Sequence, residues 1–117
     1  MSRNSLRLAS ALPLLMLVST AWATPSAEDI AAGKALAGDR NTGNCYACHQ
    51  VAGAELAGNI GPPLVAMKMR FPDREVLYQQ VADPRIRNPN TVMPPYGAHG
   101  ILSERELNLV IDYLLTL

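Results

Sequence analysis

Five consecutive residues, Cys45-Tyr46-Ala47-Cys48-His49, constrain this chain more than anything else in its 117 residues. Two thiols three positions apart, with an imidazole directly after, form the attachment pattern of c-type haem. The order is chemical. Each thiol can add to one vinyl group of the porphyrin and leave a thioether. A single helical turn over these five residues then projects the imidazole toward the iron that the thioethers have brought beside it. A histidine nitrogen is an ordinary proximal ligand for haem iron. Two other chemistries use paired cysteines. A thioredoxin-like disulfide wants a βαβ pattern around the motif, and no alternating strand pattern surrounds this one. A structural zinc ion wants four ligands, whereas the chain holds two cysteines and two histidines, with His99 far beyond His49. The motif therefore predicts one covalently attached haem c, with Cys45 and Cys48 as the attachment points and His49 as the proximal iron ligand.

The N-terminus agrees with that chemistry. Arg3 and Arg7 give a positive start, Leu8 to Val18 is almost wholly apolar, and Ala21-Trp22-Ala23 is a small-x-small cleavage site. The apolar stretch falls short of the roughly 20 residues that span a bilayer, and Pro13 interrupts it. Residues 1–23 thus read as a cleaved signal peptide and residues 24–117 as one domain with no membrane span. Haem c is attached outside the cytoplasm, so the expected location is a bacterial periplasm. Without the signal, eight basic residues face ten acidic ones, a net charge of −2. That balance offers no basic face for nucleic acid or anionic lipid. So small a domain buries a modest fraction of its surface, and it retains only Tyr46, Phe71, Tyr78, Tyr96 and Tyr113 as aromatics. A haem at the centre would supply the missing apolar bulk, and the chain without it is expected to fold poorly.

The periodicity of that domain is helical throughout. Ser26 followed by Asp29 is a capping-box start, Ile30, Gly33, Leu36 and Ala37 recur at helical spacing, and Gly38 is a C-terminal stop. Gly33 is placed to admit another helix at close range. Residues 53–63 carry three glycines and two prolines and read as irregular chain. Pro72 and Asp73 open a second helix whose inner side is Val76, Leu77 and Val81, and Asp83-Pro84 closes it, because a residue before proline is pushed out of the helical region. Asp83 to Gly100, with four prolines and two glycines, is a long structured loop of the kind that usually has a job. The last helix has the clearest grammar: Ser103 and Glu106 as a capping box, Leu102 and Leu107 as a hydrophobic staple, and Leu107, Val110, Ile111 and Leu114 as one apolar stripe beside Tyr113. The expected fold is all-α, three to five helices around one cofactor.

Four porphyrin nitrogens and His49 leave one iron position. Met67, Met69, Met93 and His99 are the candidates. Met67 and Met69 stand where a thioether commonly fills an irregular gap in a core. Met93 sits in Asn88-Pro89-Asn90-Thr91-Val92-Met93-Pro94-Pro95-Tyr96-Gly97, where prolines stiffen the chain on both sides. A stiff loop holds one sulfur against iron at little entropic cost, so Met93 is the expected distal ligand. Methionine ligation raises the haem potential and suits outer-sphere electron transfer, whereas an open sixth position would suit a gas sensor or a peroxidase.

The chain resembles the class I cytochromes c over nearly all of residues 24–117. The pieces that carry this are the glycine-bearing first helix, Cys45–His49, Gly61-Pro62-Pro63-Leu64, a methionine followed by proline, and an apolar last helix with Tyr113. The resemblance implies a class I cytochrome c-like fold in which the first and last helices cross, Gly33 meeting Tyr113. It further implies that Pro62 packs at the proximal histidine and that its carbonyl orients the imidazole, as supporting groups commonly do at metal sites. Within the class the chain is similar to the SoxX family, on Arg70-Phe71-Pro72-Asp73, Asp83-Pro84, the Asn88–Gly97 segment and Asp112-Tyr113-Leu114-Leu115-Thr116-Leu117. That family implies a heterodimer with a SoxA-like dihaem or monohaem cytochrome subunit. The L-cysteine S-thiosulfotransferase so formed joins thiosulfate oxidatively to a cysteine of a SoxYZ-like carrier, and electrons leave through haem to a downstream cytochrome acceptor. Both cysteines here are consumed by haem, so the chain has no nucleophile and its expected part is electron acceptance and relay, with no catalytic residue of its own. Val92, Pro95 and Tyr96 are candidates either for partner contacts or for lining the haem pocket. The alternative is a free soluble periplasmic electron carrier. It is disfavoured by the lysines, since only Lys34 and Lys68 are available to ring a docking face.

Overall fold

The computed structural model describes residues 24–117. The expected signal peptide, residues 1–23, lies outside the described residues. Within them every regular element is helical, as the periodicity predicts. Four α-helices follow in chain order, α1 (Ala27–Gly38), α2 (Met67–Arg70), α3 (Arg74–Ala82) and α4 (Glu104–Leu114), with 3-10 turns at Cys45–Ala47 and Pro84–Ile86. None is long and apolar enough to cross a membrane.

Both flanking helices start on reciprocal caps. The Asp29 backbone N–H donates to Ser26 Oγ at 3.1 Å and the Ser26 N–H returns a bond to the Asp29 carboxylate at 3.0 Å. Ser103 and Glu106 repeat the arrangement at α4, with 2.8 Å from the Ser103 N–H to the carboxylate. Each box satisfies two of the amides that a helix start leaves without partners. Leu102 and Leu107, the staple pair around the second box, are both buried. Asp73 caps α3 by accepting from the Glu75 N–H at 2.9 Å.

α1 packs chiefly on α4, and α3 also packs against α4. The α1 face that meets α4 is made of the smallest residues, buried Gly33 and Ala37. A Cβ on Gly33 would lie 2.6 Å from the carbonyl carbon of Leu109 and 2.9 Å from Tyr113 Cβ. The helices thus touch backbone to backbone at that point, and the glycine is there because any side chain would separate them. The α4 stripe, Leu107, Val110, Ile111 and Leu114, is buried together with Tyr113. It joins Ala37, Met67, Leu77, Val81, Tyr96 and Leu102 in one apolar core. Arg74 ties the start of α3 to α4, reaching Asp112 at 2.8 Å and the Asn108 carbonyl at 3.2 Å.

One helix was not foreseen. α2 has four residues, entered through Ala66 in the left-handed region (φ 50°) and anchored by the Met67 N–H on the Leu117 carbonyl at 3.1 Å. A single turn shows no periodicity in sequence. Tertiary anchoring to the chain's last residue creates it.

Candidate functional site

The Cys45–His49 segment is one tight turn. Asn44 enters it in the left-handed region (φ 47°), and the N–H groups of Cys48 and His49 both donate to the Cys45 carbonyl, at 3.2 and 3.0 Å. The two thiols are half-buried and not joined to one another. Burial pushes the Cys45 thiol up to about 11. A thiol so placed stays protonated near neutral pH and makes a poor redox nucleophile. Tyr46, between the cysteines, packs against Gly38 of α1, and its hydroxyl meets the Tyr113 hydroxyl at 2.8 Å. That bond straps the motif to the α1–α4 crossing.

The His49 imidazole is oriented from behind. Its Nδ1 lies 2.7 Å from the Pro62 carbonyl oxygen. A carbonyl only accepts, so Nδ1 carries the hydrogen and Nε2 is left with the free lone pair. The loop that brings this carbonyl is laced to the motif by its backbone: Gly58 N–H to the Tyr46 carbonyl, Gly61 N–H to the Cys48 carbonyl and Leu64 N–H to the Gln50 carbonyl, each at 2.8 Å. The approach leaves no room for side chains. A Cβ on Gly61 would lie 2.6 Å from His49 Nδ1, and one on Gly58 would lie 2.7 Å from the Ala47 carbonyl carbon.

Cys45, Cys48, His49, Pro62 and Met93 all line a single cleft of about 290 Å³. Its walls are apolar, among them Leu64, Phe71, Leu77, Val81, Val110 and Leu114, and Arg70 is the one permanently charged side chain on them. The proline loop that carries Met93 is pinned at both ends. The Met93 N–H donates to Thr91 Oγ1 at 3.1 Å, and the N–H groups of Tyr96 and Gly97 donate to the Val81 and Ala82 carbonyls at the end of α3. The Tyr96 hydroxyl reaches across to the Gly43 carbonyl at 2.6 Å, just before the motif. Of the other candidate ligands, Met67 also lines the cleft but is buried in the core, Met69 is 84% exposed, and His99 stands outside the cleft, exposed, with Arg85 Nη1 3.3 Å away.

These residues fit haem c. Two thiols and an imidazole with its lone pair free come from one turn, a thioether comes from a second loop, and apolar walls accept a porphyrin. A zinc site does not fit: among the described residues no three His, Cys, Asp or Glu side chains are grouped to hold a metal ion.

One expectation changes. Pro95 and Tyr96 are buried, so they offer no partner contact: Tyr96 is drawn in by its bond to Gly43 and lines the cleft, and Val92 also lines the cleft while staying 82% exposed. Tyr46 and Arg70 received no role from the sequence. Tyr46 could have been paired with Tyr113 only by knowing that the helices cross.

The sequence model of the family described as cytochrome c oxidase, cbb3-type, subunit III matches residues 28–114. An uncharacterized lipoprotein of Aquifex aeolicus (strain VF5) is 35% identical over 78 residues, 66% of this chain. The match spans only 38% of that relative's length. A crystal structure of SoxXA from P. pantotrophus superposes with a TM-score of 0.66 at 27% identity, covering 74% of this chain and 79% of the other.

Proposed function

The chain is a class I cytochrome c of SoxX-like type and belongs to the cbb3-type subunit III family, and from that premise we propose that it is the electron-relay subunit of a SoxAX-type thiosulfotransferase. The observation that carries the electron-transfer reading is the single cleft in which both thiols, the carbonyl-held imidazole and the proline-framed thioether stand together. In this reading Cys45 and Cys48 would hold the porphyrin through thioethers, and His49 and Met93 would be the protein's ligands to its iron. Haem c supplies a one-electron redox couple when bound. The protein's residues do the rest. The Pro62 carbonyl fixes the tautomer that presents Nε2 and raises the basicity of the imidazole. The apolar walls of the cleft would keep water from the haem group. The pinned loops hold both ligands in place, so little reorganisation accompanies a change of charge.

The thiosulfotransferase reading rests on the likeness to SoxXA together with the resemblance of this sequence to the SoxX family. Coupling thiosulfate to a carrier cysteine forms one S–S bond and releases two electrons and the thiol proton. With both cysteines of this chain bonded to haem, the carrier and a SoxA-like partner handle sulfur while this chain accepts electrons and passes them on. The same reading places the protein in the periplasm, after removal of residues 1–23. A second reading, a free carrier serving a terminal oxidase, is favoured by the oxidase description of the family.

One co-expression experiment separates the two. Beside a SoxA-like chain the protein is expected to co-purify as a heterodimer. The pair, and not this protein alone, is expected to conjugate thiosulfate to a SoxYZ-like carrier and reduce an added cytochrome. A protein that stays monomeric beside that partner and rapidly reduces a terminal oxidase is the free carrier.

A further inference from the structure

Arg70 belongs to no part of the reading above, yet among the described residues it is the only permanent charge on the cleft wall. Its Nη1 donates to the Pro63 carbonyl at 2.8 Å and lies 3.5 Å from both the Val65 carbonyl and the Met67 sulfur. Its guanidinium carbon stands 5.9 Å from the centre of the Phe71 ring, within the range of a cation–π contact. The side chain is thus fixed at its tip by the loop and along its plane by an aromatic face.

The loop needs that donor for a reason written in its sequence. Gly61 and Leu64 are tied to the motif through their own N–H groups. Pro62 and Pro63 between them have none. Over those two residues the backbone can be held only through its carbonyls. The Pro62 carbonyl is the one that receives His49 Nδ1, and the Pro63 carbonyl is the one that receives Arg70. The two anchors act on consecutive peptide groups.

We propose that Arg70 is a positioning residue for the proximal histidine: by holding the Pro63 carbonyl it fixes the peptide plane that presents the Pro62 carbonyl to His49 Nδ1, and so sets how strongly the imidazole donates to iron. The proposal rests on the reading of His49 as proximal ligand. All three contacts are made by Nη1; a lysine ammonium keeps the charge and a donor but loses the planar face that lies over Phe71.

The test uses the haem-loaded, reduced protein and the exchange rate of the His49 Nδ1 proton by NMR. In Arg70→Leu that proton is expected to exchange about tenfold faster, the size expected from loosening one hydrogen bond. Arg70→Lys is expected to fall between Arg70→Leu and the parent, with a reduction potential above the parent's because a less firmly held imidazole is less basic. Arg87→Leu, which removes the same charge from an exposed position outside the cleft, is expected to keep the parent rate. Should the leucine variant fail to retain haem, the lysine variant carries the same comparison. Parent-rate exchange in the Arg70 variants, or acceleration that Arg87→Leu reproduces, overturns the proposal. The reading beneath it is checked separately: low-spin absorption that survives His49→Ala defeats that reading, whereas a His49-dependent spectrum with unaltered exchange defeats only the role of Arg70.

Discussion

At Gly61 one hydrogen atom in place of a methyl group decides whether His49 can stand where it does. The position a Cβ would take is 2.6 Å from Nδ1 and 2.8 Å from Nε2, far inside contact distance. The ring is tied through Nδ1 itself to the Pro62 carbonyl, so it cannot retreat without giving up that bond. Gly61→Ala is therefore expected to yield protein in which haem is still attached through both thioethers but the low-spin spectrum is weakened or lost. Absorption spectroscopy together with intact mass checks both halves. Met93 gives the complementary case. Met93→Ala is expected to abolish the weak near-red band typical of Met-ligated ferric haem and to lower the reduction potential. His99→Ala should leave both as they are, since His99 lies outside the cleft. If Met93→Ala keeps the band, Met67, which also lines the cleft, becomes the ligand.

Among the helices, the crossing of α1 and α4 does most to place the site. It fixes Tyr113, whose hydroxyl holds Tyr46 and with it the turn that carries both thiols. The crossing depends on Gly33, where a side chain would strike the Leu109 carbonyl group and the start of Tyr113. The obstruction is backbone, so rotamer changes cannot relieve it. Gly33→Leu is expected to cost about 3 kcal/mol or more of stability, the upper end for an overpacked contact, read as a fall in the midpoint of denaturant unfolding. An unchanged midpoint would mean that the helices do not meet there. The two capping boxes are local by contrast. Each closes within four residues and owes nothing to the crossing.

For the whole molecule the question is what fills the centre. The core consists of one apolar cluster along α4, and several of its members, Met67, Leu77, Val81, Val110 and Leu114, also face the cleft. With haem in place these side chains bury apolar surface on both sides. Without it that wall meets water, and so small a domain has little stability to spare. A Cys45→Ala/Cys48→Ala protein is accordingly expected to lack covalent haem and to show reduced helicity with no sharp thermal transition by circular dichroism. The parent should melt cooperatively. A double variant that melts as sharply and at the same temperature as the parent would show that the helices alone make the core.

The sequence by itself determined whatever short-range chemistry dictates. The Cys45–His49 turn is five adjacent residues, each capping box spans four, the α4 stripe repeats every three to four, and Asp83-Pro84 stops α3 by a steric rule that involves only its neighbours. That Gly33 admits another helix was legible in α1 itself, but its partner Tyr113 and the role of Pro62 were reached through the family resemblance, which carries long-range geometry that no local pattern contains. Tertiary structure alone decided the remainder. Met67 and Met69 are two residues apart and identical in chemistry, yet one is buried beside the cleft and the other is 84% exposed. Tyr96 turned inward because Gly43, fifty-three positions earlier, offers it a carbonyl. Tyr46 found Tyr113 across sixty-seven residues, and Arg70 found a stretch of loop whose two consecutive prolines have no N–H groups of their own. Such pairings depend on which backbone groups the fold leaves without a local partner, and that is settled only when distant segments are brought together.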